Sequence, residues 1–155
     1  MGQSCETMSQ PIIILVNPQM GENIGATARA MLNCGLTNLR LVNPRDGWPS
    51  EKAVAMAAGA FDVMPDVQVF DTLADAIADC QTIYATTARA RDLVKPVLTA
   101  RSAGLAMHKD IHEGQKIAIL FGAERSGLTN DEVMMAHKLI TIPLNPDFSS
   151  LNLGQ

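Results

Sequence analysis

Short apolar runs set between amphipathic stretches restrict the fold of this chain more than any other feature. They fall at residues 12–16, 39–42, 67–70, 82–85, 116–121 and 139–142. Several are almost unbroken Ile, Val and Leu, the composition expected of strands covered on both faces. Between them, residues 23–33, 51–60, 73–79, 100–111 and 130–136 carry helical patterning. Thr129 followed by Glu132 predicts a capping box at the start of the last helix, and Gly35 after Cys34 predicts the stop of the first. Such alternation implies an α/β fold, a mostly parallel sheet flanked by helices. The sequence shows no repeat, low-complexity tract or linker. Its 155 residues suit a single core, with residues 1–10 as an N-terminal tail and 11–155 as one domain.

Composition removes several classes of function. No apolar run approaches the roughly 18–20 residues that span a bilayer. The opening MGQSCETMSQ has neither a basic flank nor an apolar core, so no secretory leader is expected. Cys5, Cys34 and Cys80 lack metal-ligand spacing and read as reduced thiols of a cytoplasmic protein. His108 and His112 stand four apart without clustered Cys or carboxylates, so a solvated helix face is expected rather than a metal site. The net charge of −4 argues against a general nucleic-acid binder. Yet Arg89, Arg91, Lys95 and Arg101 fall close together beside a single acid, Asp92, as either a solvated loop or an RNA-contacting strip. No GxGxxG follows a strand, and no glycine loop ends in Gly-Lys-Ser/Thr, which disfavours dinucleotide oxidoreductases and P-loop NTPases.

In parallel sheets ligands bind outside the carboxyl ends of the strands, so the segments that follow strands hold the candidate chemistry. The first, Asn17-Pro-Gln-Met-Gly-Glu-Asn-Ile-Gly-Ala-Thr-Ala-Arg29, leads into a helix expected to start near Asn23 and to bury Ile24, Ala28, Met31 and Leu32. Gly25 lies four residues before Arg29, on the same face. One reading has Arg29 extend over the bare glycine toward the strand ends, to meet a phosphate or ribose oxygen. The other has Gly25 serve close helix packing beneath a surface arginine. The second segment, Ile119-Leu-Phe-Gly-Ala-Glu-Arg-Ser-Gly-Leu128, places Glu124 between Gly122 and Gly127, which would let a ligand approach the backbone. The third, Ile140-Thr-Ile-Pro-Leu-Asn-Pro-Asp-Phe-Ser-Ser-Leu-Asn-Leu153, is either a polar recognition turn or simply a turn rich in turn-formers.

Together and in order, these segments resemble the three motifs of the TrmH-like branch of SPOUT RNA methyltransferases. The matching residues are Asn23-x-Gly25-x-x-x-Arg29, Phe121-Gly-x-Glu124-x-x-Gly127-Leu, and Ile142-Pro-Leu with Ser150-Leu-Asn152-Leu. The form Asn145-Pro-x-Phe-Ser-Ser-Leu-Asn-Leu and the stretch Thr86-Thr-Ala-Arg-Ala-Arg91 are most similar to the TrmJ-type subgroup, which methylates tRNA ribose at position 32 of the anticodon loop.

The resemblance implies a C-terminal trefoil knot that binds S-adenosyl-L-methionine in a bent shape, and a homodimer whose active sites draw residues from both subunits. It implies that Thr86, Thr87, Gly122, Ile142 and Leu151 contact the cofactor, largely through backbone groups. Asn23, Arg29, Glu124, Ser150 and Asn152 would form the polar catalytic set, with Arg89, Arg91 and Lys95 as the RNA-binding candidates. The expected reaction is transfer of the sulfonium methyl to a ribose 2′-hydroxyl without a metal. Its alternatives are the same reaction on ribosomal RNA or the tRNA D-loop, or a non-catalytic RNA-binding module of this fold. The sequence stops at Gln155, where the family continues into a helix that completes the knot, so an incomplete knot is expected.

Overall fold

The computed structural model describes residues 10–64, 67–87, 97–123 and 127–141. Among these, seven strands form one sheet: β1 (Ile12–Val16), β2 (Leu39–Val42), β3 (Gln68–Phe70), β4 (Thr82–Thr87), β5 (Val97–Thr99), β6 (Ile117–Phe121) and β7 (Lys138–Thr141). The helices are α1 (Gly21–Asn33), α2 (Glu51–Ala57), α3 (Ala60–Val63), α4 (Leu73–Ala76), α5 (Ala100–His112) and α6 (Asn130–Met134). The strand order is β3-β2-β1-β6-β4-β7-β5, and every pairing of neighbouring strands is parallel.

The unbroken apolar runs are explained by the two cores. In β1, Ile13 and Leu15 face a cluster containing Ile24, Ala28 and Met31 of α1, Ala53 and Ala57 of α2, and Ala103 of α5. Ile12, Ile14 and Val16 face the other side, with Leu73 and Ala76 of α4 and Val133 of α6. A strand whose successive side chains enter two cores has no position for a polar residue. Each fully buried Ile or Leu contributes about 1.5–3 kcal/mol.

Helix ends follow the expected local chemistry. Gly35 takes a φ of +78°, which lets its N–H donate to Leu32 O at 3.0 Å and that of Leu36 to Met31 O at 2.8 Å; this pattern satisfies the last carbonyls of α1. The capping box of Thr129 and Glu132 forms as expected. The expected 51–60 helix is instead two helices. Ala58 and Gly59 both adopt left-handed backbone, with φ of 52° and 87°, and interrupt the hydrogen-bond ladder. The 73–79 stretch is helical only through Ala76.

One strand, β5, was not anticipated. It is three residues long, lies at the sheet edge and keeps Val97 exposed, so it leaves almost no apolar signature. Its position matters. The chain passes from β4 to β5 by way of residues 88–96, yet these two strands are not neighbours: β7, last in sequence, lies between them and pairs with both. The expected knot would be closed by the chain after β7, which lies outside the described residues.

Candidate functional site

Because all strands run parallel, their carboxyl ends share one edge, and the three candidate segments all begin there. The first leaves β1 after Val16, the second leaves the adjacent β6 after Phe121, and the third leaves β7 after Thr141. Thr86, near the end of β4 between β6 and β7, belongs to the same edge.

Helix α1 starts at Gly21, two residues before the expected start, and its cap residue Met20 offers no side-chain acceptor. Asn23 therefore sits inside the first turn, where it is buried. The N–H groups of Asn23 and Ile24 both donate to Met20 O, at 3.1 and 3.4 Å. Thr27 Oγ1 donates to Asn23 O at 2.8 Å. Arg29 lies two turns into the helix and is exposed. Six residues separate it from Asn23, or about 9 Å along the axis.

Gly25 resolves the choice left open by the sequence. A Cβ placed on it would collide with Ala53 O and lie 2.8 Å from Met56 Cβ and 2.9 Å from Ala57 N. The glycine face is thus covered by α2, not bare, and Arg29 does not extend over open glycine surface. Gly21 is in the same position against Ser50, so both glycines serve the close approach of α1 and α2.

Gly122 shows a similar economy. Its missing Cβ would strike the backbone of Gly127 and Leu128, with Gly127 Cα 2.7 Å away. Ala123 and Gly127 form an antiparallel bridge, Gly127 N–H donates to Ala123 O at 2.8 Å, and Gly127 has a φ of +69°. Gly122 and Ala123 therefore lie directly against Gly127 and Leu128, whose backbone fills the space beside Gly122. Leu128, buried in the core, anchors that backbone ahead of α6. Thr86 Oγ1 donates to Leu120 O at 2.9 Å, tying the ends of β4 and β6 together.

Asn23, Arg29, Thr86 and Gly122 are thus described, as is the backbone of Thr87. Glu124, Ile142, Ser150, Leu151, Asn152, Arg89, Arg91 and Lys95 lie outside the described residues. Sequence reading missed a polar chain at this edge. Asn43 Nδ2 donates to Asn17 Oδ1 at 3.2 Å, and Asn17 Nδ2 donates to Glu132 Oε2 at 3.2 Å. The available signal was an asparagine at two strand exits, a residue that tolerates left-handed backbone.

Among the described residues, an ion cluster lies at the opposite edge. Asp79 receives a two-pronged contact from Arg40 at 2.8 and 3.0 Å and a third contact from Lys116 at 3.0 Å. Those partners hold its carboxyl well below the usual carboxylate range, the Arg40 hydrogen bonds most of all. Burial pushes the neighbouring Cys80 thiol up to about 11. This cluster fastens the strand starts and is remote from the site. His108 and His112 are exposed and stack edge to face with ring centres 4.7 Å apart. Among the described residues no group of three or more His, Cys, Asp or Glu could hold a metal ion, and no helix is long and apolar enough to cross a membrane.

Comparison with known proteins gives these features a family. The SpoU rRNA Methylase family model matches residues 10–155. A Klebsiella pneumoniae protein named tRNA (cytidine/uridine-2'-O-)-methyltransferase TrmJ is 48% identical over 144 residues, covering 92% of this chain and 57% of its own length. The chain thus spans little more than half of that relative. The crystal structure of TrmJ from Z. mobilis ZM4 superposes with a TM-score of 0.87 at 54% identity, covering 95% of this chain and 64% of that one. A probable methyltransferase from Bordetella pertussis Tohama I gives a TM-score of 0.82 at 40% identity, with 96% and 90% covered. The parallel sheet, with its late strand set between β4 and β5, is therefore the fold of the SPOUT methyltransferases, and the chain belongs to the SpoU rRNA methylase family.

Proposed function

We propose that this protein transfers the methyl group of S-adenosyl-L-methionine to a ribose 2′-hydroxyl of tRNA, at cytidine or uridine 32 of the anticodon loop. One observation carries the reading: three ordered motif segments leave β1, β6 and β7 at a single sheet edge, in a chain whose relatives include a named tRNA 2′-O-methyltransferase. Residues 11–155 act as one catalytic domain and residues 1–10 as a tail. The protein works in the cytoplasm as a homodimer, without a metal.

The donor set fits the cofactor in kind. Residues 86–87, Gly122, Ile142 and Leu151 would hold S-adenosyl-L-methionine chiefly by backbone groups, with the backbone at Gly122 packed against that of Gly127 and Leu128. The cofactor supplies an electrophilic methyl when bound. Asn23, Arg29, Glu124, Ser150 and Asn152 hold the acceptor ribose in near-attack geometry, the main source of rate in a displacement of this kind.

Arg29 is exposed and about 9 Å along α1 from Asn23, which supports its meeting the RNA rather than the cofactor. A guanidinium keeps its proton too tightly to be a good base. Its role is to anchor a phosphate or to stabilise the developing alkoxide. Calorimetry with S-adenosyl-L-methionine on the full-length protein, followed by methyl transfer to bulk tRNA, tests the reading. Cofactor binding without transfer to any RNA would favour the non-catalytic RNA-binding alternative. Transfer to ribosomal RNA or to the D-loop would move the substrate and keep the chemistry.

A further inference from the structure

The exits of β2 and β1 are tied to the first turn of α6, which follows β6, by one polar chain. β2, β1 and β6 are adjacent in the sheet. Asn43 leaves β2 and Asn17 leaves β1, each with left-handed backbone at φ of 48° and 54°. Their N–H groups extend the ladder one step past the strands, Asn17 to Val42 O at 2.8 Å and Asn43 to Phe70 O at 2.9 Å. A bend that needed only positive φ would cost least with glycine. Asparagine at both exits adds an amide, and the two amides are joined: Asn43 donates to Asn17 and Asn17 donates to Glu132, both at 3.2 Å.

Glu132 uses its two oxygens differently. Oε1 accepts the Thr129 N–H at 2.8 Å and completes the capping box of α6. Capping needs only that oxygen. Oε2 reaches 115 positions back in the sequence to Asn17. Thr129 directly follows Leu128, where the turn that carries Glu124 re-enters the core, and Asn17 opens the segment that carries Asn23 and Arg29. The Asn17–Glu132 bond therefore spans the two segments assigned to one site.

We infer that Asn17 and Glu132 are positioning residues, which set the spacing between the α1 segment and the turn after β6 and act on the reaction only through the groups those segments carry. The inference rests on the proposed methyl transfer for its consequence in rate, but not for the link itself. The donors run in one direction, from Asn43 through Asn17 to Glu132, which makes the link testable by exchange of its parts. Asn17→Asp sets two carboxylates against each other where a hydrogen bond stood. Adding Glu132→Gln restores a donor facing an acceptor and keeps an oxygen for the Thr129 cap.

The full-length protein and these variants should be compared for kcat, for KM toward tRNA and cofactor, and for thermal stability. Asn17→Asp should lower kcat by about tenfold to a hundredfold, the scale expected of a misplacement near 1 Å, with both KM values within about threefold of the parent. The double variant should recover kcat to within about threefold. Unchanged kcat in Asn17→Asp, or a loss the double variant does not repair, overturns the inference. If the aspartate variant does not fold, Asn17→Gly keeps the left-handed backbone and removes the amide. It should show the same loss, and parental kcat there is also overturning. Hydrogen exchange at Gly127 and Leu128 reads the link without activity: about tenfold faster in the single variant, restored in the double. A parent protein that transfers no methyl overturns the activity reading alone, and exchange rates that ignore Asn17→Asp overturn the positioning link.

Discussion

Replacing Gly25 by alanine separates two physical accounts of α1 by the sign of its effect. On an open helix face, Gly→Ala stabilises by about 1 kcal/mol, since glycine is among the poorest helix formers. Against α2 the added methyl would collide with Ala53 O and lie 2.9 Å from Ala57 N. Both are backbone atoms, which cannot rotate away as a side chain would. The helices must part by roughly half an ångström or more, which places the cost near the upper end of the 1–3 kcal/mol typical of overpacking. Subtracting the propensity gain leaves a net loss of about 2 kcal/mol. For a domain of this size that is a fall of roughly 4–8 °C in melting temperature. Gly104 is the control: it lies within α5, is exposed, and has no atom within 4 Å of an added Cβ. Gly104→Ala should therefore stabilise by up to about 1 kcal/mol. Urea unfolding with matched m-values measures both. Gly25→Ala at or above parental stability would refute the close α1–α2 contact.

Three further outcomes are expected. Arg29→Ala should abolish methyl transfer, whereas Arg29→Lys should keep measurable activity because the lysine retains the cation; a lysine variant that binds RNA but is wholly inactive counts against the anchoring role. Neutralising Arg89, Arg91 and Lys95 together should weaken tRNA binding and flatten its dependence on salt, and binding measured at two salt concentrations with neither change removes that assignment. Asp79→Asn should destabilise at neutral pH by no more than about 1 kcal/mol, because its carboxylate is half exposed and solvent screens the ion pair. Since folding depresses the Asp79 pKa, its contribution is present above the ordinary carboxylate value near 4 and is lost as pH falls below it. The melting-temperature gap between Asp79→Asn and the parent should therefore close progressively below pH 4, and a gap unchanged down to pH 2 contradicts the assignment.

The strands that enter both cores were legible because burial on two faces leaves an unbroken apolar run, as in residues 12–16. Chain ends of helices were legible where one residue does the work, as at Gly35 and Thr129. What escaped depended on partners distant in sequence. Nothing near Gly25 says that Ala53 and Ala57 will cover it, and nothing near Glu132 says that its second oxygen will meet Asn17. Ala58 takes left-handed backbone without a signal of its own, and Gly59 beside it was the one local hint of the break between α2 and α3. β5 is too short and too exposed to show a period. The three motif segments begin at one sheet edge, as expected for ligand sites of parallel sheets, while the packing at Gly25 and Gly122 required coordinates. Both glycines admit the protein's own backbone.

The most direct test of the account is the position and chemistry of the transferred methyl group. Incubating the full-length protein with labelled S-adenosyl-L-methionine and tRNA, then digesting and mapping the product, should give 2′-O-methylcytidine or 2′-O-methyluridine at position 32, absent with Arg29→Ala. Label on a base rather than a ribose, or no label in any RNA, would contradict it.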